Sequence, residues 1–171
     1  MNEEVTVATS GEMRDLGRRL AALLRAGDVV ILSGPLGAGK TTLTQGIGAA
    51  LSVRGPVTSP TFVISRVHPR ADGAGGPALV HVDAYRLGSA LELDDLDLDA
   101  DTDTAVTVVE WGEGIAEGLA DDRLEVTISP ADDPCDDASI EGDRPRMVRI
   151  LGVGSRWQDI RMTRADVIDR L

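Results

Sequence analysis

The sequence predicts an α/β fold with a mainly parallel central sheet flanked by helices and bounded by antiparallel edge strands. Three observations carry that prediction. The runs Val29-Val30-Ile31-Leu32 and Ala105-Val106-Thr107-Val108-Val109 are apolar almost without interruption, as strands buried on both faces of a parallel sheet are. A glycine-rich stretch follows the first run and leads into a helical pattern, the strand–loop–helix order of an α/β unit. Near the end of the chain, residues 124–128 and 147–151 read as two strands on either side of a polar segment, an antiparallel pair.

The elements follow in order. Residues 1–8 hold a short apolar alternation around Val5 and Val7, suited to an edge strand. Thr9 and Glu12 have capping-box spacing. Met13, Leu16, Leu20, Leu23 and Leu24 then recur at helical intervals, with Gly27 as the stop. A second helix spans 42–51. The Ser59-Pro60-Thr61 cluster makes a rigid turn before a strand over 62–67. Residues 69–77, with Asp72-Gly73, form a hairpin tip, and 79–83 is the return strand. The leucines at 91, 93, 96 and 98 lie among acids in a short helix plus loop over 89–100. A calcium loop is excluded there, because no glycine sits at the required place. Residues 115–119 read as a short helix, 130–145 as a mobile acidic loop, and 155–171 as one or two helices packed through Trp157, Ile160, Val167 and Ile168.

At 171 residues the chain suits one domain, 1–171, with a sizeable core. No apolar run approaches the length of a membrane span, and no signal peptide is visible. The lone Cys135 forms no intrachain disulfide, which makes a cytoplasmic location the default. Its neighbours lack the Cys/His spacing of a metal site. The net charge of −12, with dispersed arginines, argues against an autonomous grip on nucleic acid and against adhesion to an anionic membrane.

The chemistry gathers around Gly34-Pro35-Leu36-Gly37-Ala38-Gly39-Lys40-Thr41, a full match to the P-loop pattern G-x-x-x-x-G-K-[ST]. The glycines permit backbone conformations that a Cβ would penalise, so that N–H groups turn inward onto phosphate oxygens. Lys40, the only lysine in the chain, brings a compact charge to the β- and γ-phosphates, and the Thr41 hydroxyl suits Mg²⁺. The loop opens a helix, where anions bind. Two acids close apolar strands: Asp83 after 79–82 and Glu110 after 105–109. In a parallel sheet the C-terminal strand ends gather at the ligand face. Either acid could hold Mg²⁺ or orient water, and the cleaner strand precedes Glu110. His81 alternates with apolar neighbours and is read as a residue on a strand face, not as a base.

The ordered set GPLGAGKTT (34–42), SPTF (59–62), HVDAYRL (81–87) and VEW (109–111) closely resembles the TsaE (YjeE) family. These are bacterial P-loop ATPases needed for making threonylcarbamoyladenosine in tRNA. Three of the four aromatics, Phe62, Tyr85 and Trp111, lie inside those motifs. The resemblance implies a P-loop NTPase-like domain in which Leu36, Gly37, Ala38, Gly39, Lys40, Thr41 and Thr42 bind ATP phosphates. It places Mg²⁺ on Thr41 and Glu110, makes Lys40, Asp83 and Glu110 the catalytic set, and makes 59–62 a switch-like segment beside Trp111. It also implies two partners, TsaB and the transferase TsaD, which carry the threonylcarbamoyl transfer onto the adenosine next to the anticodon. Contact with tRNA then belongs to the complex, and ATP hydrolysis permits repeated turnover. The chain departs from the family pattern at Pro35, where Asp is frequent, and in the acidic loop 131–143.

Other functions are weighed against this one. A GTPase would need N-K-x-D, which is impossible when Asn2 and Lys40 are the only residues of their kinds. A P-loop kinase for a small metabolite would need an arginine-rich lid, for which residues 144–164 offer only scattered arginines. A nucleotide-dependent interaction module with negligible turnover overlaps the family reading, since the sequence shows no obvious arginine finger in cis, Arg86 being the nearest candidate by position. Stimulation of a weak ATPase by the partner complex is therefore expected.

Overall fold

A computed structural model describes residues 1–71, 75–94, 104–131 and 144–162. Its strands are β1 (Asn2–Val7), β2 (Val29–Ser33), β3 (Ser65–His68), β4 (Ala78–Asp83), β5 (Ala105–Glu110), β6 (Arg123–Pro130) and β7 (Arg146–Val153). Its α-helices are α1 (Ser10–Ala21), α2 (Lys40–Ala50) and α3 (Ala90–Asp94). The strands form one sheet in the order β1-β7-β6-β2-β5-β4-β3. The central four, β6, β2, β5 and β4, are mutually parallel. Strands β7 and β3 run antiparallel to their inner neighbours, and β1 runs antiparallel to β7. The predicted parallel centre and antiparallel edges are both present.

Burial explains this order. Every residue of β2 and of β5 is buried, so the two apolar runs take the middle of the sheet. In β6 only the alternate residues Leu124, Val126 and Ile128 are buried, the pattern of a strand one step nearer solvent. On one face Val30, Leu32, Val106 and Val108 pack in a cluster with Leu16 and Leu20 of α1 and Leu43 and Ile47 of α2. On the other, Val29, Ile31, Val80, Val82 and Val109 meet Leu93 of α3 and Ala116. Helices α1 and α2 approach so closely that only glycine fits between them. A Cβ on Gly17 would lie 2.3 Å from the Leu43 carbonyl oxygen, and one on Gly46 would lie 2.1 Å from that of Arg14.

Several boundaries differ from the pattern-based reading. Helix α1 starts as predicted, with the Thr9 hydroxyl accepting from Glu12 N at 3.1 Å, but it ends at Ala21. Leu23 and Leu24 follow in tight turns that keep the leucines facing the core. Gly27 is therefore not the helix cap: it sits at φ 89°, donating to the Ala105 carbonyl at the entry to β2. Helix α2 begins two residues earlier than predicted, at Lys40. Strand β3 begins only at Ser65, because Phe62 and Val63 lie in an exposed turn that ends at Ile64 with φ 67°. Within 115–119 the helix is a single 3₁₀ turn, Glu117–Leu119. Another, Ser155–Trp157, seats Trp157 in the core. The hairpin tip at Asp72-Gly73, the end of the 89–100 segment, the acidic residues 132–143 with Cys135, and Val167 and Ile168 lie outside the described residues.

Candidate functional site

The site lies where the central strands end. Register aligns Leu32 with Glu110 and Glu110 with Asp83. The end of β2, from which the glycine loop springs, thus stands level with both acids. Gly34, Gly37 and Gly39 adopt φ of 142°, 76° and 109°, left-handed conformations that disfavour a Cβ. At Gly34 a Cβ would also lie 2.3 Å from the Ile128 carbonyl oxygen on neighbouring β6. Gly39 then caps α2. These elements enclose an open cavity of about 330 Å³. Leu36, Gly37, Ala38, Gly39, Lys40, Thr41 and Thr42 line one side, with Asp83, Glu110, Ser59, Thr61 and Trp111 opposite. Every residue singled out from the sequence as catalytic, phosphate-binding or metal-binding is brought to this cavity.

The family model for "Threonylcarbamoyl adenosine biosynthesis protein TsaE" matches residues 7–137. The chain belongs to the TsaE family. The tRNA threonylcarbamoyladenosine biosynthesis protein TsaE of Streptomyces coelicolor is 58% identical over 146 residues, covering 85% of this chain and 93% of that protein. The protein of the same name from Bacillus subtilis is 35% identical over 148 residues, covering 86% and 84%. The crystal structure of Bacillus subtilis YdiB matches with a TM-score of 0.68 at 31% identity, over 92% of this chain and 89% of that one.

In this TsaE-family chain Lys40 is buried, and its Nζ donates to the carbonyl oxygens of Gly34 (2.7 Å) and Pro35 (2.9 Å). The same nitrogen stands 3.6 Å from the Trp111 ring centroid. Burial lowers the Lys40 pKa from its ordinary 10.5, against the opposing pull of Glu110 and Asp83. The Thr41 hydroxyl donates to the Glu110 carboxylate, 2.9 Å from Oε1 and 3.1 Å from Oε2. Asp83 Oδ2 accepts from Thr61 at 2.6 Å and from Ser59 at 3.5 Å, while its Oδ1 accepts from the Tyr85 N–H at 3.0 Å. The two acids are thus differently employed: Glu110 faces Thr41 of the glycine loop, and Asp83 holds the 59–61 segment. Pro35 lends the site its carbonyl, so the missing N–H at that position leaves the lysine contact intact.

Sequence reasoning placed His81 correctly on a strand but missed its partner. His81 is fully buried, with Nε2 2.7 Å from Glu110 Oε1. The signal was the period of two: residues 79, 81 and 83 of β4 share a face with 106, 108 and 110 of β5. Trp111 is held at φ 61°, with the Tyr85 ring 5.1 Å away. Arg86 turns to Phe62, its guanidinium carbon 5.3 Å from that ring, and is not among the described residues lining the cavity.

The donor set suits a hard cation. The Thr41 hydroxyl and the Glu110 carboxylate meet at the cavity wall beside the loop, and both are oxygen ligands. Among the described residues no cluster of three or more His, Cys, Asp or Glu side chains forms a metal site by itself. Among the described residues no helix is long and apolar enough to cross a membrane.

Proposed function

We propose that this chain binds and hydrolyses Mg²⁺-ATP. We propose further that it acts with TsaB- and TsaD-type partners in threonylcarbamoyl modification of the adenosine next to the anticodon of tRNA. The observation that carries the reading is the bond between Thr41 and Glu110, which joins the P-loop to the end of β5 across from Lys40. The loop N–H groups and Lys40 would hold the phosphates. Thr41 and Glu110 would hold Mg²⁺, which when bound neutralises charge developing on the transferred phosphoryl. Asp83, tied to Thr61, would bring the 59–62 segment to the γ-phosphate and orient water.

The pathway role rests on the family, whose relatives carry the tRNA threonylcarbamoyladenosine biosynthesis name. The net charge of −12 agrees with leaving tRNA to the partners. The absence of arginine from the cavity lining among the described residues agrees with an ATPase that is weak alone. A metabolite kinase gains nothing from Arg149 and Arg156. The first lies 3.8 Å from Glu4 at the β1–β7 edge, and the second pairs with Asp28 at the opposite end of β2.

The test is ATP turnover by wild type and Glu110→Ala, first alone and then with the TsaB–TsaD pair and tRNA. Stimulation by the partners that Glu110→Ala abolishes is the expected result. Unchanged turnover with partners, together with ADP release on adding a small acceptor, would install the kinase instead.

A further inference from the structure

His81 touches the candidate machinery from behind, at Glu110, and does not line the cavity. It is fully buried on β4, and its Nε2 lies 2.7 Å from Glu110 Oε1. A carboxylate only accepts, so Nε2 carries the hydrogen and donates it. The other ring nitrogen, Nδ1, is buried with no hydrogen-bond partner among the described residues. The neighbouring His68 ring, 6.3 Å away centroid to centroid, likewise buries an Nε2 without a partner. The one hydrogen bond His81 makes among the described residues is the one to Glu110.

What that bond does follows from which oxygen it takes. Glu110 Oε1 accepts from His81 Nε2 at 2.7 Å on the sheet-interior side and from the Thr41 hydroxyl at 2.9 Å at the cavity wall, while Oε2 is 3.1 Å from the same hydroxyl. The bond from His81 thus holds the carboxylate where both of its oxygens reach Thr41. We propose that His81 is a positioning residue, whose Nε2–H holds the Glu110 carboxylate in the orientation in which Glu110 and Thr41 together take the divalent cation of a metal–nucleotide complex. This rests on the reading of the cavity as an Mg²⁺-nucleotide site. The same arrangement, in which a partner behind a ligating group fixes its orientation, commonly governs metal affinity.

Three substitutions of the full chain test it. His81→Gln places an amide N–H near the Nε2 position, His81→Asn places it near Nδ1, and His81→Leu removes it. ADP affinity is measured by calorimetry over a Mg²⁺ series and in chelator, Mn²⁺ uptake is followed by its paramagnetic resonance, and melting curves report folding. His81→Leu and His81→Asn should raise the metal concentration needed for tight ADP binding about 10- to 100-fold, with metal-free ADP affinity unchanged. His81→Gln should restore most of the loss. A wild-type metal requirement in a folded His81→Leu, or equal behaviour of the Gln and Asn variants, would overturn the inference. If His81→Leu fails to fold, the Gln–Asn comparison decides alone. Glu110→Gln separates the two levels: if it leaves the metal requirement untouched, the Mg²⁺-site reading itself is wrong. If it raises the requirement while the His81 variants do not, only the role of His81 fails.

Discussion

The ammonium of Lys40 lies 3.6 Å from the centre of the Trp111 ring while bonded to the carbonyls of Gly34 and Pro35. The lysine is therefore held against its own loop, between two backbone acceptors and an indole face. A cation over an indole contributes about 0.5–2 kcal/mol, depending on desolvation. Phosphate oxygens in the loop would compete for the same three N–H donors with a full negative charge, and charge-assisted bonds are the stronger. The Lys40–Trp111 contact should thus be exchanged for phosphate when a nucleotide enters.

Two measurements follow from that exchange. Adding Mg²⁺-ADP should change the tryptophan emission, and Trp111→Phe should remove the change, because buried Trp157 lies in the core away from the cavity. Lys40→Met should weaken ADP binding roughly 10- to 100-fold, the worth of one bond to a charged group. Emission unaltered by saturating nucleotide would show that Trp111 keeps its contact.

Asp83 makes a second separable prediction. Its carboxylate bonds Thr61 and, through the other oxygen, the N–H of Tyr85 at the start of the 3₁₀ turn Ala84–Arg86. Thr61→Val removes the first bond, worth about 1 kcal/mol, together with the Ser59–Thr61 hydroxyl contact at 2.7 Å within the same segment, and leaves the Tyr85 bond in place. Amide exchange over 59–64 should then speed up about fivefold while 84–87 stays unchanged. Asp83→Ala should loosen both segments. Exchange that rises equally in both after Thr61→Val would mean that the two oxygens do not act separately.

The central strands and the strand-end acids were legible because each is a local pattern. Val29 to Leu32 and Ala105 to Val109 declare burial by composition, and Asp83 and Glu110 follow their runs directly. The glycine loop was legible because its conformations restrict residue type. The contact between His81 and Glu110 was not legible, because it depends on the parallel register of β4 on β5, which no single stretch encodes. Phe62 misled for another reason. An apolar aromatic before a β-branched run resembles a strand start, yet the Ile64 backbone at φ 67° ends a turn there and leaves the ring exposed. The end of α1 was missed because Leu23 and Leu24 stay at the core beyond the last helical bond.

The close crossing of α1 and α2 supports the loop from behind, since α2 begins at Lys40. A methyl group at position 46 would lie 2.1 Å from the Arg14 carbonyl oxygen, a backbone atom that cannot rotate away. Gly46→Ala should therefore destabilise the fold by about 1–3 kcal/mol, as overpacking does, even though alanine is the better helix former. Urea unfolding measures this directly. Gly118→Ala is the control, because a Cβ there meets nothing within 4 Å. Equal midpoints for the two variants would contradict the crossing as described.

His68 gives the last prediction, in pH. Burial, with added repulsion from His81 and Arg66, holds its pKa below the ordinary 6.5. The folded chain therefore keeps His68 neutral over a range in which the unfolded chain takes up a proton. Stability from this residue is complete above about pH 7 and is lost as the pH falls below 6.5 toward the folded-state value. Its slope is at most about 1.4 kcal/mol per pH unit. His68→Leu removes the titrating group, and its cost at neutral pH is limited because Nε2 has no hydrogen-bond partner among the described residues. Between pH 7.5 and 5.5, urea unfolding of the wild type should lose more stability than unfolding of the variant. Carboxylates titrate in both chains and cancel in the comparison. Equal losses would mean that His68 titrates alike in the folded and unfolded chains, and that its burial does not oppose protonation.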